Sequence, residues 1–155
     1  MFKMKIWTSY FYMVRFLRPY HIALSTALSD PKWFHAFMGR RHLFVDKNGV
    51  LNGLRAESLH PGASCDGLCS GRPCEFEPES CRFLKEYRKQ IFSLDKQKLE
   101  TSFRQLGERI KSRLKFREDP EIVLLVHEAP SNPCSERVVL QEFFKCREIS
   151  RHDII

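Results

Sequence analysis

The chain has 155 residues, 43% of them hydrophobic and 29% charged, with a net charge of +7. That length fits one domain able to bury a core, and the ordinary apolar and charged fractions argue against a disordered chain. No run approaches the roughly 20 apolar residues of a membrane span, and the opening MFKMKIWTSYFYMVRFL is interrupted by Arg15 and Arg18 with no small-residue cleavage site, so the expectation is a cytoplasmic protein without a secretory leader. The charge is uneven: residues 1–60 carry nine Lys/Arg against Asp30, Asp46 and Glu57, whereas the rest is nearly balanced. A basic N-terminal portion suits an anionic partner such as a nucleotide or nucleic acid, or is simply a solvated basic surface.

In chain order, KIWTS at 5–9 reads as a strand, followed by a helical turn over 10–17 that stops before Pro19. HIALST at 21–26 reads as a second strand. Asp30-Pro31 is expected to open a short helix over 32–37, with Asp30 as its N-cap. RHLFVD at 41–46 and Val50-Leu51 flank Asn48-Gly49, the dipeptide suited to a two-residue hairpin turn.

Cys65, Cys69, Cys74 and Cys81 then fall within a Gly- and Pro-rich stretch, CDGLCSGRPCEFEPESC. Cytoplasmic thiols stay reduced, which favours shared metal ligation by these four over disulfides. Zinc is the first reading, structural because four thiolates leave no open position; an iron–sulfur cluster is the alternative. Cys134 and Cys146 stand apart and are expected to be free thiols.

A helix is expected from Pro78-Glu79 to about Phe92, with Phe83, Tyr87 and Ile91 on one face. A second is expected from about Asp95 to Leu114, with Leu99, Phe103, Leu106, Ile110 and Leu114 aligned. EIVLLVH at 121–127 reads as a strand buried on both faces. A loop and a final helix, Ser135 to about Arg147, complete the chain. Strands separated by helices define an α/β class. The expected architecture is one domain over 1–155, a three-layer sandwich with a largely parallel sheet. It carries a cysteine-rich metal-binding loop over 60–82 and a helical elaboration over 83–115, giving two long helices.

Ligands of such sheets bind outside the carboxyl ends of the strands. That rule collects Ser9 and Tyr10, Ser25 and Thr26, His127 and Glu128, and the loop and helix start bearing Asn132, Cys134, Ser135 and Arg137. Cys134 near Arg137 at a helix start is a candidate nucleophile, with His127 and Glu128 as acid–base partners; equally it is a small packing residue. Arg55 beside Glu57 either binds an anionic group or pairs with that glutamate. Aromatics interleaved with Arg15, Arg18 and Lys32 either stack bases or build core.

IWTSYF, ALSTALSDPKWF and LLVHEAPSNPCSERVVL together resemble the domain of unknown function 488 family of bacteria, archaea and phages. In that family the last segment reads Leu-Leu-Cys-x-Glu, a polar loop, then Cys-His-Arg opening a helix. Leu124, Leu125, Glu128, Cys134 and Arg137 match it. Val126 replaces the family's first cysteine, and Ser135-Glu136 stand where one histidine is usual. The resemblance implies an α/β fold and no settled activity. Three functional readings are open: nucleotide or nucleic-acid binding or processing at the carboxyl edge, a Cys134-dependent enzyme, and a non-catalytic interaction protein of phage or mobile-element type.

Overall fold

The computed structural model describes residues 4–34, 43–65, 68 and 78–154. Four strands form one parallel sheet: β1 (Ile6–Tyr10), β2 (His21–Ser25), β5 (Glu121–Val126) and β6 (Arg147–Glu148), in the order β2-β5-β1-β6. Two short strands, β3 (Phe44–Val45) and β4 (Leu51–Asn52), pair separately as an antiparallel hairpin. The fold is α/β, as the alternation of strands and helices predicts.

β5 is central because its six residues serve two faces. Ile122, Leu124 and Val126 join one core, while Val123 and Leu125 join the other. All five are fully buried, and a strand paired on both sides leaves no backbone group to solvate. Its register places Ile6 opposite Ile122 on one side and His21 opposite Glu121 on the other.

One face of the sheet is covered by α1 (Arg82–Phe92) and α3 (Glu136–Phe144), which pack together through Phe92 and Phe143, ring centroids 5.1 Å apart. α2 (Lys96–Leu114) joins this core through Phe103 against Phe144 and crosses the amino edge, where Gly107 lies against Met4 and Pro120. Asp95 caps α2 by accepting from the Lys98 amide, and Lys115 ends it in the left-handed conformation. The opposite face is covered by a 3-10 stretch, Phe11–Phe16, by Phe34, and by a C-terminal 3-10 turn, Arg151–Ile154.

Three sequence expectations change, and a fourth lies partly outside the described residues. The last helix stops at Phe144 because Lys145 turns left-handed, and Arg147-Glu148 become β6 beside Trp7 and Thr8. Two polar residues carry no strand periodicity, so nothing local marks this strand. The hairpin connection is not a two-residue turn: it spans residues 46–50, and the Asp46 carboxylate organises it by accepting from the Asn48 and Val50 amides. The helix expected from Pro78 divides into a 3-10 turn, Pro78–Ser80, and α1, with Cys81 at the break. Lys32 to Phe34 form a turn, and residues 35–37 of the short helix expected there lie outside the described residues. The Asp30 carboxylate accepts from Ser25 and Arg55.

Candidate functional site at the carboxyl edge

The connection from β1 to β2 passes beyond β5 on the Phe11–Phe16 face. The connection from β5 to β6 passes beyond β1 through α3 on the other. Adjacent strands β1 and β5 therefore send their chains in opposite directions, which opens a crevice outside their carboxyl ends. Tyr10 ends β1, His127 and Glu128 follow β5, Thr26 follows β2, and Ser135-Glu136 open α3. The crevice is a cavity of about 170 Å³ with apolar walls from Leu28 and Phe83 and polar groups from His127, Glu128, Asn132 and Glu136.

Glu136 is its most unusual member. The side chain is buried, and the Thr26 hydroxyl approaches its Oε2 at 3.4 Å. Burial, reinforced by the charge of Glu128, raises its pKa to about 8 against the opposing effects of Thr26 and Arg137. A neutral carboxyl at pH 7 both donates and accepts a hydrogen bond. An acidic residue just after an N-cap ordinarily faces water, so nothing in the sequence marks this one; only its placement beneath the strand ends does.

Arg137, expected as a ligand-binding cation, is buried and fully engaged. Its Nε donates to Glu148 Oε1 at 2.6 Å, and its terminal nitrogens donate to the carbonyls of Ala129 (3.1 Å) and Glu128 (2.7 Å). Glu148 Oε1 also accepts from the Thr8 hydroxyl at 2.8 Å, and Gln141 donates to that hydroxyl at 2.8 Å. This network ties the loop after β5 to β6, and its acid comes from the unexpected strand. The second oxygen, Glu148 Oε2, is buried with no hydrogen-bond partner among the described residues.

Arg55 donates to Asp30 Oδ1 at 2.7 Å and to the Ala27 carbonyl, and lies 3.3 Å from Glu57. It continues the sheet edge, bridging Ser25. The pairing with Glu57 is present, and Asp30 is the closer partner. Ser25 donates to Asp30 rather than facing the crevice. Ser9 is buried, its hydroxyl without a partner among the described residues. Tyr10 is half-buried and stacks on Tyr12 at 5.9 Å. His127 contacts the Ser29 carbonyl through Nε2 and rests on Phe11, centroids 5.0 Å apart.

Cys134 lines the crevice, its amide held by Asn132 Oδ1 at 2.9 Å, but its sulfur is in a disulfide rather than a free thiol. The other half of that bond lies outside the described residues. In this state the sulfur carries no thiolate, which removes the nucleophile expected of it. Cys146 is a thiol pushed up to about 11 by burial and the nearby charge of Glu148, and is correspondingly inert.

Of the four clustered cysteines, Cys65 and Cys81 are buried in the core beneath α1, and Cys69 and Cys74 lie outside the described residues. Among the described residues no group of three or more His, Cys, Asp or Glu is placed to hold a metal. None of their helices is long and apolar enough to cross a membrane.

A larger cavity, about 720 Å³, lies on the outer side of α1. Its charges include the surface pairs Arg88 with Glu142 and Lys89 with Glu86, together with Arg82 and Lys85. Convergence of buried polar groups favours the smaller crevice over this open groove. Comparison with protein families, curated proteins and solved structures finds no match to this chain.

Proposed function

We propose that the protein is a cytoplasmic nucleotide- or nucleic-acid-binding domain whose carboxyl-edge crevice takes the base. Glu136, buried and protonated near neutral pH at the head of α3, carries this reading. A nucleobase is flat and neutral and presents donors and acceptors at its edge, matching a neutral carboxyl, the Asn132 amide and the apolar sides of Leu28 and Phe83. Phosphate is a poor match for the same space. Glu128 and Glu136 line it, and the nearby guanidinium of Arg137 is already paired with Glu148. The base therefore enters and the phosphate stays outside.

Kinship with the domain of unknown function 488 family is part of the same proposal. It rests on Leu124, Leu125, Glu128, Cys134 and Arg137, which end β5 and open α3. Zinc, or alternatively an iron–sulfur cluster, bound through Cys65, Cys69, Cys74 and Cys81 is also retained as a proposal for the reduced protein, in which the Cys134 disulfide is open. The burial of Cys65 and Cys81 together in one core supports it.

Equilibrium titration of nucleosides between pH 6 and 9 tests the crevice. The groups that face Glu136 are Glu128, Arg137, Thr26 and Tyr87. Affinity in the unmodified protein is expected to fall above about pH 8 as Glu136 ionises. Glu136→Gln keeps the donor and loses that pH dependence, whereas Glu136→Ala weakens binding about tenfold, one hydrogen bond's worth. Failure of every nucleoside to bind at millimolar concentration ends the reading.

A further inference from the structure

We propose that a second pocket, on the sheet face opposite α3, binds the phosphates of the nucleotide or single strand whose base enters the crevice. The identity of its anion rests on the reading above; its residues are entirely different.

The pocket has a volume of about 320 Å³ and is lined by Arg15, Arg18 and Arg151 with Asn48, Phe16 and Ile154. Three separate segments bring the arginines and the amide together: the end of the 3-10 stretch after β1, the hairpin turn and the C-terminal 3-10 turn. None of the three guanidinium groups pairs with a carboxylate among the described residues. The acids on the same segments are already committed. Asp46 accepts from the Asn48 and Val50 amides and from Asn52, and Asp153 is held by Arg147 at 2.7 Å and by Ser150. Lys47 and His152, the remaining titratable neighbours in sequence, add no negative charge.

Two of the arginines are held in place without being neutralised. The Arg15 guanidinium carbon lies 4.2 Å from the Tyr12 ring centroid, and its Nε donates to the Tyr12 carbonyl at 3.0 Å. Asn48 fixes the same residue by donating to the Arg15 carbonyl at 2.7 Å. Arg151 lies 4.1 Å from the Phe16 centroid. A guanidinium laid flat on a ring keeps its N–H edge for an oxyanion and has less freedom to lose on binding.

The same rings run from the pocket to the carboxyl end of β1, beside the crevice. Tyr10, at the end of β1, stacks on Tyr12 at 5.9 Å, and Tyr12 meets Phe16 edge-on at 5.8 Å. A row of aromatic and guanidinium groups thus leads from the end of β1, whose Tyr10 pairs with Val126 just before His127 of the crevice, to the three arginines, the combination that single strands bind. The groove along α1 is also cationic, but it holds Glu86 and Glu142, which pair with Lys89 and Arg88, beside Arg82 and Lys85, whereas no acid among the described residues lines the three-arginine pocket.

Fluorescence anisotropy with a single-stranded 12-mer, competed by a mononucleotide, tests the pocket. The double variant Arg15→Gln, Arg151→Gln should bind the 12-mer about tenfold more weakly. The slope of log K against log salt should shrink by about 0.7 for each phosphate that the variant no longer neutralises. Arg109→Gln, Arg113→Gln removes the same charge from exposed positions on α2 and should change little. If the pocket variant loses thermal stability, Arg15→Lys, Arg151→Lys replaces it and should keep most of the salt slope. Competition by the mononucleotide that is equal per phosphate identifies a free nucleotide as the source of the anion; much tighter 12-mer binding identifies a strand, and either supports the pocket. No binding of either probe, or equal weakening by the two double variants, overturns it. Uncharged nucleoside binding should be untouched by the arginine variants; if the unmodified protein binds no nucleoside while its 12-mer binding is still weakened by the arginine variants, the crevice falls and the pocket stands.

Discussion

Glu136 and His21 are both buried ionisable side chains, and burial shifts them in opposite senses. The folded state holds the Glu136 proton up to about pH 8, whereas an unfolded glutamate releases it near 4.5, so stability is lost as pH rises between those values. His21 is buried at the start of β2 with Nδ1 accepting from the Arg18 amide, and burial lowers its pKa to about 4 from 6.5. The unfolded chain takes up that proton first, so its contribution is lost as pH falls from 6.5 to 4. The two slopes oppose one another below pH 6.5, and only Glu136 acts above it. Chemical denaturation is therefore expected to show stability dropping by roughly 1–3 kcal/mol between pH 6.5 and 8. Glu136→Gln should be flat over that range and more stable than the parent at pH 8. An unchanged slope in the variant would mean that Glu136 is ionised in the folded protein.

Among the elements, α2 depends on a single close approach. A Cβ placed on Gly107 would sit 2.9 Å from the Pro120 side chain and 3.1 Å from Met4. Glycine inside a helix ordinarily costs about 1 kcal/mol relative to alanine, yet here it lets the helix lie against the residues that lead into β5 and β1. Gly107→Ala is expected to destabilise by about 1–2 kcal/mol in urea, because the Pro120 ring cannot rotate aside. Stabilisation by the usual helix preference would show that α2 yields at this contact.

α2 and β5 are also the most legible elements. The apolar spacing from Leu99 to Leu114 and the unbroken run from Ile122 to Val126 are local patterns, and each reports its own burial. β6 is the converse case. Arg147 and Glu148 have no strand pattern and become a strand only because the Trp7 and Thr8 edge of β1 lies beside them. The site follows the same division. The carboxyl-edge rule locates Tyr10, Thr26, His127, Glu128 and Cys134 near one crevice, because it needs only strand order and direction. It misplaces Arg137, whose partner Glu148 lies on a strand with no local signature, and Ser25, whose partner Asp30 has the sequence setting of a helix cap.

For the whole molecule, two cores lie on opposite faces of one sheet, and they differ in what encloses them. The core under α1 and α3 includes Cys65 and Cys81 with Leu59 and Tyr87, whereas the other is closed by the 3-10 stretch, Phe34 and the C-terminal turn. A metal bound by the cysteine segment would therefore tie the start of α1, at Cys81, to the larger core that Cys65 joins. Elemental analysis of protein purified under reducing conditions without chelator is expected to find one zinc per chain, and chelation should lower Tm. Iron with sulfide and brown colour would replace zinc by a cluster. The absence of any stoichiometric metal would remove the site.

The amino-acid sequence by itself determined the α/β class, the doubly buried strand, the course of α2 and the basic character of the first sixty residues. Periodicity and composition are local properties and survive without knowledge of neighbours. Tertiary structure alone decided that Glu136 is neutral, that Arg137 is a clamp, that Cys134 is disulfide-bonded and that three arginines from distant segments share a pocket. Protonation state, pairing and pocket formation depend on distance and desolvation, and those exist only once segments far apart in the chain have been brought together.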